Sequence, residues 1–212
     1  MIKLVRGTVI VRINRSVPNN VVFVDGCAQG GSSLLQIPNG ISAIFQRRLV
    51  RKRVTINAEA GQNCPGEQFN NFLDVSPATA RMFGLVNRRF LYTLEFDPNT
   101  NVLTISLRRT QTIAPFGIEQ VDVNRDNVFL AAGLTSNALN LPPDNTVITV
   151  RRAGKEKKMK VRLFAEGEAG FSDGFETSRR TAAFFGFTSG RRFVLSFNQI
   201  TRVLEIRSVG GK

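Results

Sequence analysis

Ser76-Pro77-Ala78-Thr79-Ala80-Arg81-Met82-Phe83-Gly84 is followed by Arg88-Arg89-Phe90, then by Leu94-Glu95-Phe96-Asp97 and Val102-Leu103-Thr104-Ile105. About a hundred residues further on the pattern returns. Ser178-Arg179-Arg180-Thr181-Ala182-Ala183-Phe184-Phe185-Gly186 leads to Arg191-Arg192-Phe193, Leu195-Ser196-Phe197-Asn198 and Val203-Leu204-Glu205-Ile206. The spacing slips by a residue or two, as loops allow. Self-similarity at a fixed period marks a repeated structural unit. The 212 residues therefore read as two tandem copies, 1–108 and 109–212, each large enough to bury a core unaided by metal or disulfide.

The unit explains itself locally. Ser76 can accept a bond from an orphan backbone N–H, and Pro77 at the first helical position has no N–H to leave unpaired. Gly84 supplies the left-handed residue that ends the helix. Two turns are too few to be stable alone, so packing of Met82 and Phe83 must hold them. Apolar runs on either side of Asp97-Pro98-Asn99-Thr100-Asn101, a turn cluster, predict a β-hairpin. In the second copy Ser178, Gly186 and Asn198 take the same parts.

The rest of each copy reads as short strands. In the first, Thr8–Ile13 and Val21–Val24 are strands, and a glycine-rich loop over 25–33 lacks the lysine of a phosphate-binding loop. Ile41–Phe45 and Val54–Ile56 form a hairpin joined by the basic run Gln46–Arg53, and Phe72–Val75 delivers the chain to the helix. In the second, Asn127–Leu130, Thr146–Val150 and Met159–Leu163 answer these strands, with Arg151–Lys158 as the basic connection. Arg108–Gly117, containing Pro115, reads as the linker. Gln62–Asn71 and Glu166–Asp173 read as polar loops.

Net charge is +13, and 22 of the 29 basic residues are arginine. The copies carry 13 basic and 6 acidic, and 16 basic and 10 acidic residues, so the charge belongs to the unit and not to a tail. With an apolar fraction of 42% and 17 Phe, this is a folded domain with a polyanion partner: nucleic acid first, an acidic protein surface or membrane second. A soluble basic surface with no dedicated partner is the bland alternative.

Cys27 and Cys64 are too few for a framework and read as free thiols of a reducing compartment, with a disulfide the alternative if loops bring them together. There is no histidine, which nearly excludes a zinc site. The N-terminus is charged within six residues and has no apolar stretch of signal-peptide type, and no window reaches membrane-spanning length. The expectation is a cytoplasmic protein, or one packaged into a particle assembled inside the cell.

A small β unit whose strand feeds a short, glycine-terminated helix and then a hairpin resembles the double-psi β-barrel. It is also similar to the N-terminal region of endospore coat-associated ATP-grasp proteins, over 34–105 and 139–206. The resemblance implies a mainly β protein of two tandem six-stranded barrels, double-psi-like, each with one short helix. It implies little about activity, since that fold serves polymerases, adaptors, decarboxylases and DNA-binding regulators alike. The aspartate triad of polymerase barrels is not visible. The self-cleavage of some double-psi barrels at Gly-Ser has one counterpart here, Gly31-Ser32.

Without histidine the commonest routes to general base and nucleophilic catalysis are closed. Glu59 with Glu67, or Glu166 with Glu168 and Asp173, could pair, but they read as solvated loop carboxylates. No enzyme and no cofactor is expected. Guanidinium groups suit phosphate because their planar donors meet two oxygens at once. Strand neighbours face opposite sides, whereas residues at hairpin tips can share a surface. That singles out Arg47, Arg48, Arg51, Lys52 and Arg53, with Arg151, Arg152, Lys155, Lys157, Lys158 and Lys160, as the nucleic-acid-binding candidates. Basic tips also discourage edge-to-edge pairing of strands. With Tyr92 the lone tyrosine and no long helix, contact would be backbone-directed. The alternative is a structural component of a spore, virion or other particle that oligomerises through its barrels.

Overall fold

The computed structural model describes residues 3–28, 31–61, 71–119, 125–131, 134, 139–163 and 174–210. The chain forms two compact units, Met1–Arg108 and Arg109–Lys212. The first contains β1 (Val5–Ile13), β2 (Val21–Cys27), a 3-10 turn (Ser33–Gln36), β3 (Ile41–Arg47), β4 (Val50–Gly61), β5 (Asn71–Val75), α1 (Pro77–Phe83), β6 (Leu91–Asp97) and β7 (Val102–Leu107). The second contains β8 (Thr110–Glu119), β9 (Asn127–Leu130), β10 (Val147–Arg152), β11 (Lys155–Leu163), β12 (Phe175–Ser178), α2 (Arg179–Phe185), β13 (Arg192–Asn198) and β14 (Val203–Ser208).

Each unit is a closed barrel. Around the first the strands run β1-β5-β2-β4-β3-β7-β6, and around the second β8-β12-β9-β11-β10-β14-β13, which is the same order. The senses agree pair by pair: β1–β5, β2–β4 and β3–β7 are parallel, as are β8–β12, β9–β11 and β10–β14. Each barrel has seven strands where six were expected. Closure leaves no edge strand, so basic residues are not needed to blunt one.

The helix signals act as read. Ser76 Oγ accepts from Thr79 N at 3.1 Å, Pro77 opens α1, and Gly84 ends it at φ 58°. Ser178 and Gly186, at φ 67°, do the same for α2. Phe83 is buried against Phe45, with ring centroids 4.6 Å apart, but Met82 is exposed and does not anchor the helix.

The region read as a linker is strand: β8 begins at Thr110, so only Arg108 and Arg109 lie between β7 and β8. Pro115 is tolerated because N–H groups alternate sides along a strand. Phe116 N donates toward β13, to Arg191 O at 2.9 Å, so the N–H missing at 115 falls on the other side, where pairing with β12 begins only at Phe116. Cys27, at the buried end of β2, is disulfide-bonded and not a free thiol. The chain's other cysteine, Cys64, lies outside the described residues, and the argument for a reducing compartment falls with the free thiol. Among the described residues no helix is long and apolar enough to cross a membrane.

Period-two alternation fills both cores. In the first, Val9 and Val11, Val22 and Val24, Val54 and Ile56, and Leu103 and Ile105 all point inward. The register aligns Val11, Leu73 and Tyr92 with Phe116, Phe175 and Phe193 of the second barrel. Where the first core is largely aliphatic, the second is therefore aromatic, with Phe116 centred 5.1 Å from Phe175 and 4.9 Å from Phe187.

Candidate nucleic-acid interface

The two basic hairpins superimpose by register. Arg47 pairs with Val50 across the first and Arg152 with Lys155 across the second, so Arg51, Lys52 and Arg53 correspond to Glu156, Lys157 and Lys158. Strand structure reaches the turn in both, leaving only Arg48-Leu49 and Ala153-Gly154 as loop. The supposed tip is thus almost all strand, and alternation sorts its cations into two sets.

One set shares the inward parity of the core. Arg47 follows Ala43 and Phe45 on β3, and its Nη1 donates to the carbonyls of Phe83 and, at 2.6 Å, Gly84. Arg152 follows Ile148 and Val150 on β10 and donates to Phe185 O at 2.5 Å and Gly186 O at 2.6 Å. Each therefore clamps the C-terminus of its barrel's helix, where unpaired carbonyls and the negative end of the helix dipole favour a cation. Arg152 also lies 4.9 Å from the ring centre of Phe193 and 5.1 Å from that of Phe187. Burial lowers its guanidinium pKa below the ordinary value.

Lys52 belongs to the same set: its Nζ donates to Asn19 O at 2.6 Å and to Thr79 Oγ1 at 3.2 Å, joining β4 to the loop before β2 and to α1. Lys157 pairs with Asp126 at 2.5 Å, and Lys155 donates to Phe184 O at 2.7 Å. These residues are bound within the fold.

The other set faces outward. Arg51 and Arg53 are exposed on β4, and among the described residues Arg53 makes only a long bond, 3.4 Å, to Ser42 Oγ. Lys158 and Lys160 are exposed on β11. Arg48 is exposed in the first turn, at φ 53°. Arg151 also faces outward, but its ion pair with Glu156, 2.6 Å from Nε to Oε1, neutralises it. The equivalence of the two hairpins is thus partial: Glu156 stands where the first barrel has Arg51, and Ala153 where it has Arg48.

Sequence reasoning passed over a second basic corner in the first barrel. Arg12, on β1, donates through Nε to Asp74 Oδ1 at 2.5 Å and through Nη2 to Asp74 Oδ2 at 3.0 Å and Asp25 Oδ2 at 2.9 Å. Its Cζ lies 4.2 Å from the ring centre of Phe72. Burial lowers its pKa, and the hydrogen bonds and charges of Asp74 and Asp25 more than offset that, so the net direction is upward. Arg12 and Asp74 form part of the wall of an open cleft of about 530 Å³. The signal available in sequence was Arg12 three residues before Arg15, on a strand that alternates apolar and polar.

Of the carboxylate candidates, Glu59 is exposed on β4, and Glu67, Glu166, Glu168 and Asp173 lie outside the described residues. Ser32 of the Gly31-Ser32 dipeptide caps the 3-10 turn, accepting from Leu34 N at 3.2 Å. Among the described residues no group of three or more His, Cys, Asp or Glu could hold a metal ion. Comparison with protein-family models, curated proteins and solved structures returned no match.

Proposed function

We infer that this is a non-enzymatic nucleic-acid-binding protein whose barrels each present an outward stripe of cations to the phosphate backbone. The observation that carries the reading is that Arg53 and Lys158, corresponding residues of the two hairpins, both face outward and are exposed, with no ion pair among the described residues. Arg48 and Arg51 extend the stripe in the first barrel and Lys160 in the second. Arginine forks and lysine point charges at such positions read phosphate and not base sequence, so binding is salt-dependent and largely sequence-independent. The double-psi likeness belongs to this reading and is supported by the mixed parallel and antiparallel closure of each barrel.

Titration of duplex DNA and duplex RNA at low and moderate salt tests it. Replacing Arg51 and Arg53, or Lys158 and Lys160, with Ala should weaken binding across sequences and flatten the salt slope by about one for each phosphate no longer neutralised. Absence of binding at low salt, or an unchanged slope in both double variants, refutes it.

Leu49 supports a second reading. It is 98% exposed at the β3–β4 turn, beside Arg48 and Arg51, and would suit a particle component that meets its neighbours through this tip. Light scattering at high protein concentration decides: a monomer removes this reading, and an oligomer dissolved by Leu49→Asp supports it.

A further inference from the structure

We propose that the cleft beside β1 in the first barrel is a binding site for a phosphate monoester, separate from the hairpin cations. It is lined by Arg12 and Ile13 at the end of β1, Asn14 and Arg15 after it, Asp74 on β5, and Asn87 and Arg88 before β6.

The cleft is built before any ligand arrives. Ile13 N donates to Asn87 Oδ1 at 2.9 Å and Arg88 N to Val11 O at 2.8 Å, which ties the two walls together. Asn14 N donates to Val75 O at 2.9 Å, and Asn14 Oδ1 accepts from Ser16 N at 2.9 Å, which fixes the turn that carries Arg15. Such preorganisation removes part of the ordering cost of binding.

The same bonds decide what chemistry the cleft can recognise. Each of its side-chain acceptors already has a donor: both Asp74 oxygens take Arg12, whose charge offsets the carboxylate, Asn14 Oδ1 takes Ser16 N, and Asn87 Oδ1 takes Ile13 N. What remains are donors: the Arg15 and Arg88 guanidinium groups, both exposed, and the Nδ2 groups of Asn14 and Asn87. Among the described residues no carboxylate pairs with Arg15 or Arg88. A wall of donors around two guanidinium groups fits an oxyanion with several acceptor oxygens, and a doubly charged phosphate monoester meets two arginines better than a singly charged diester. The volume exceeds one phosphate and leaves room for the group that carries it.

The second barrel supplies the independent argument. Arg88 N donates to Val11 O, and Gly190 N donates to the corresponding Phe116 O at 2.9 Å, so Arg88 occupies the place of Gly190. Both are left-handed, at φ 46° and 79°. Glycine adopts that conformation freely, whereas arginine there is strained. Strain kept at one of two turns that make the same backbone bond points to a use for the side chain. The neighbouring substitutions run the same way: Gly117, Glu119 and Glu176 stand where the first barrel has Arg12, Asn14 and Asp74, so the described residues of the second barrel do not form such a site.

The test is NMR titration of the full chain with inorganic phosphate, adenosine 5′-monophosphate, adenosine, and a single-stranded oligonucleotide with and without a 5′-phosphate. Saturable shifts of the amides of residues 13–16 and 86–89 with phosphate and the monophosphate, and none with adenosine, are expected. Arg88→Gly, which installs the residue the second barrel already uses, should keep the fold and weaken binding by about tenfold or more, as should Arg15→Ala. Tighter binding of the free nucleotide assigns the source to a small molecule, and tighter binding of the 5′-phosphorylated strand assigns it to a nucleic-acid end. The Lys158→Ala/Lys160→Ala variant should bind the monophosphate as the parent does, which separates this site from the hairpin reading. Equal shifts with adenosine, absence of saturable shifts with either phosphate, or parental affinity in both arginine variants overturns the proposal.

Discussion

β1 and β8 hold the same place in barrels of identical strand order, yet they end in opposite chemistry. β1 carries Arg12, held by Asp74 and Asp25, and leads to Arg15. β8 has Gly117 at the equivalent position and ends in Glu119, with Glu176 lying close over Gly117. Burial, and then the charge of Glu119, raises the Glu176 carboxyl above its ordinary pKa. The cores differ as well, aliphatic in the first and aromatic in the second. The helix clamp does not differ: Arg47 and Arg152 make the same two bonds. Topology and clamp are thus common property of the unit, while the corner beside the first strand was free to diverge in each copy.

The largest effect should come from the core. Phe116→Ala empties the centre of the aromatic cluster and should cost about 3–5 kcal/mol, against about 2 kcal/mol for Val11→Ala at the matching position. The chain has one tyrosine, Tyr92, and no tryptophan, so tyrosine fluorescence follows the first barrel while far-UV circular dichroism follows both. Phe116→Ala should therefore move the dichroism transition in urea and leave the fluorescence transition in place. If both move together, the two barrels do not unfold as separate units.

Next are the clamps. Arg152→Ala should destabilise by about 2 kcal/mol and Arg47→Ala by about 1 kcal/mol, because Arg152 packs on two phenylalanine rings and also donates to Ser208 Oγ at 3.2 Å, whereas Arg47 lies over one ring, Tyr92, at 5.6 Å. Equal losses in thermal denaturation would show that the second ring and the Ser208 bond add nothing.

A smaller effect is expected at Glu176. A carboxyl with a raised folded pKa favours folding below its unfolded pKa, and that contribution is lost as pH rises through the folded pKa. Glu176→Gln should therefore stabilise the second barrel at neutral pH, and the gain should vanish in acid, where the glutamate is itself protonated. A gain that persists in acid would assign it to packing and not to charge. The smallest change is Arg88→Gly, which should stabilise the first barrel by about 0.5 kcal/mol through relief of left-handed strain. A loss of stability instead would mean that the Arg88 side chain supports the fold.

Much of this was legible in sequence where the signal is local. Ser76, Pro77 and Gly84, and again Ser178 and Gly186, fix the helices through bonds that span three or four residues. β6–β7 and β13–β14 announce themselves by apolar runs around a turn. β8 was hidden by Pro115 and Gly117, which read as linker until the neighbouring strands show where an N–H is not needed. β12 was hidden by its length of four residues. The division of the hairpin cations needed the turn to be placed within one residue, since a strand extended to Arg47 gives alternate side chains to opposite faces.

The sequence by itself determined the duplication, the mainly β class, the helix caps and a cationic surface, because repetition, periodicity, capping and charge are carried by neighbouring residues. Only the tertiary structure decided which arginines are free. Arg47 and Arg152 find their carbonyl partners more than thirty residues away, Arg12 finds Asp74 across a parallel strand pair, and Arg15 and Arg88 line one cleft at the end of β1. Whether a cation stays available to a ligand depends on those distant partners, and barrel closure supplies them.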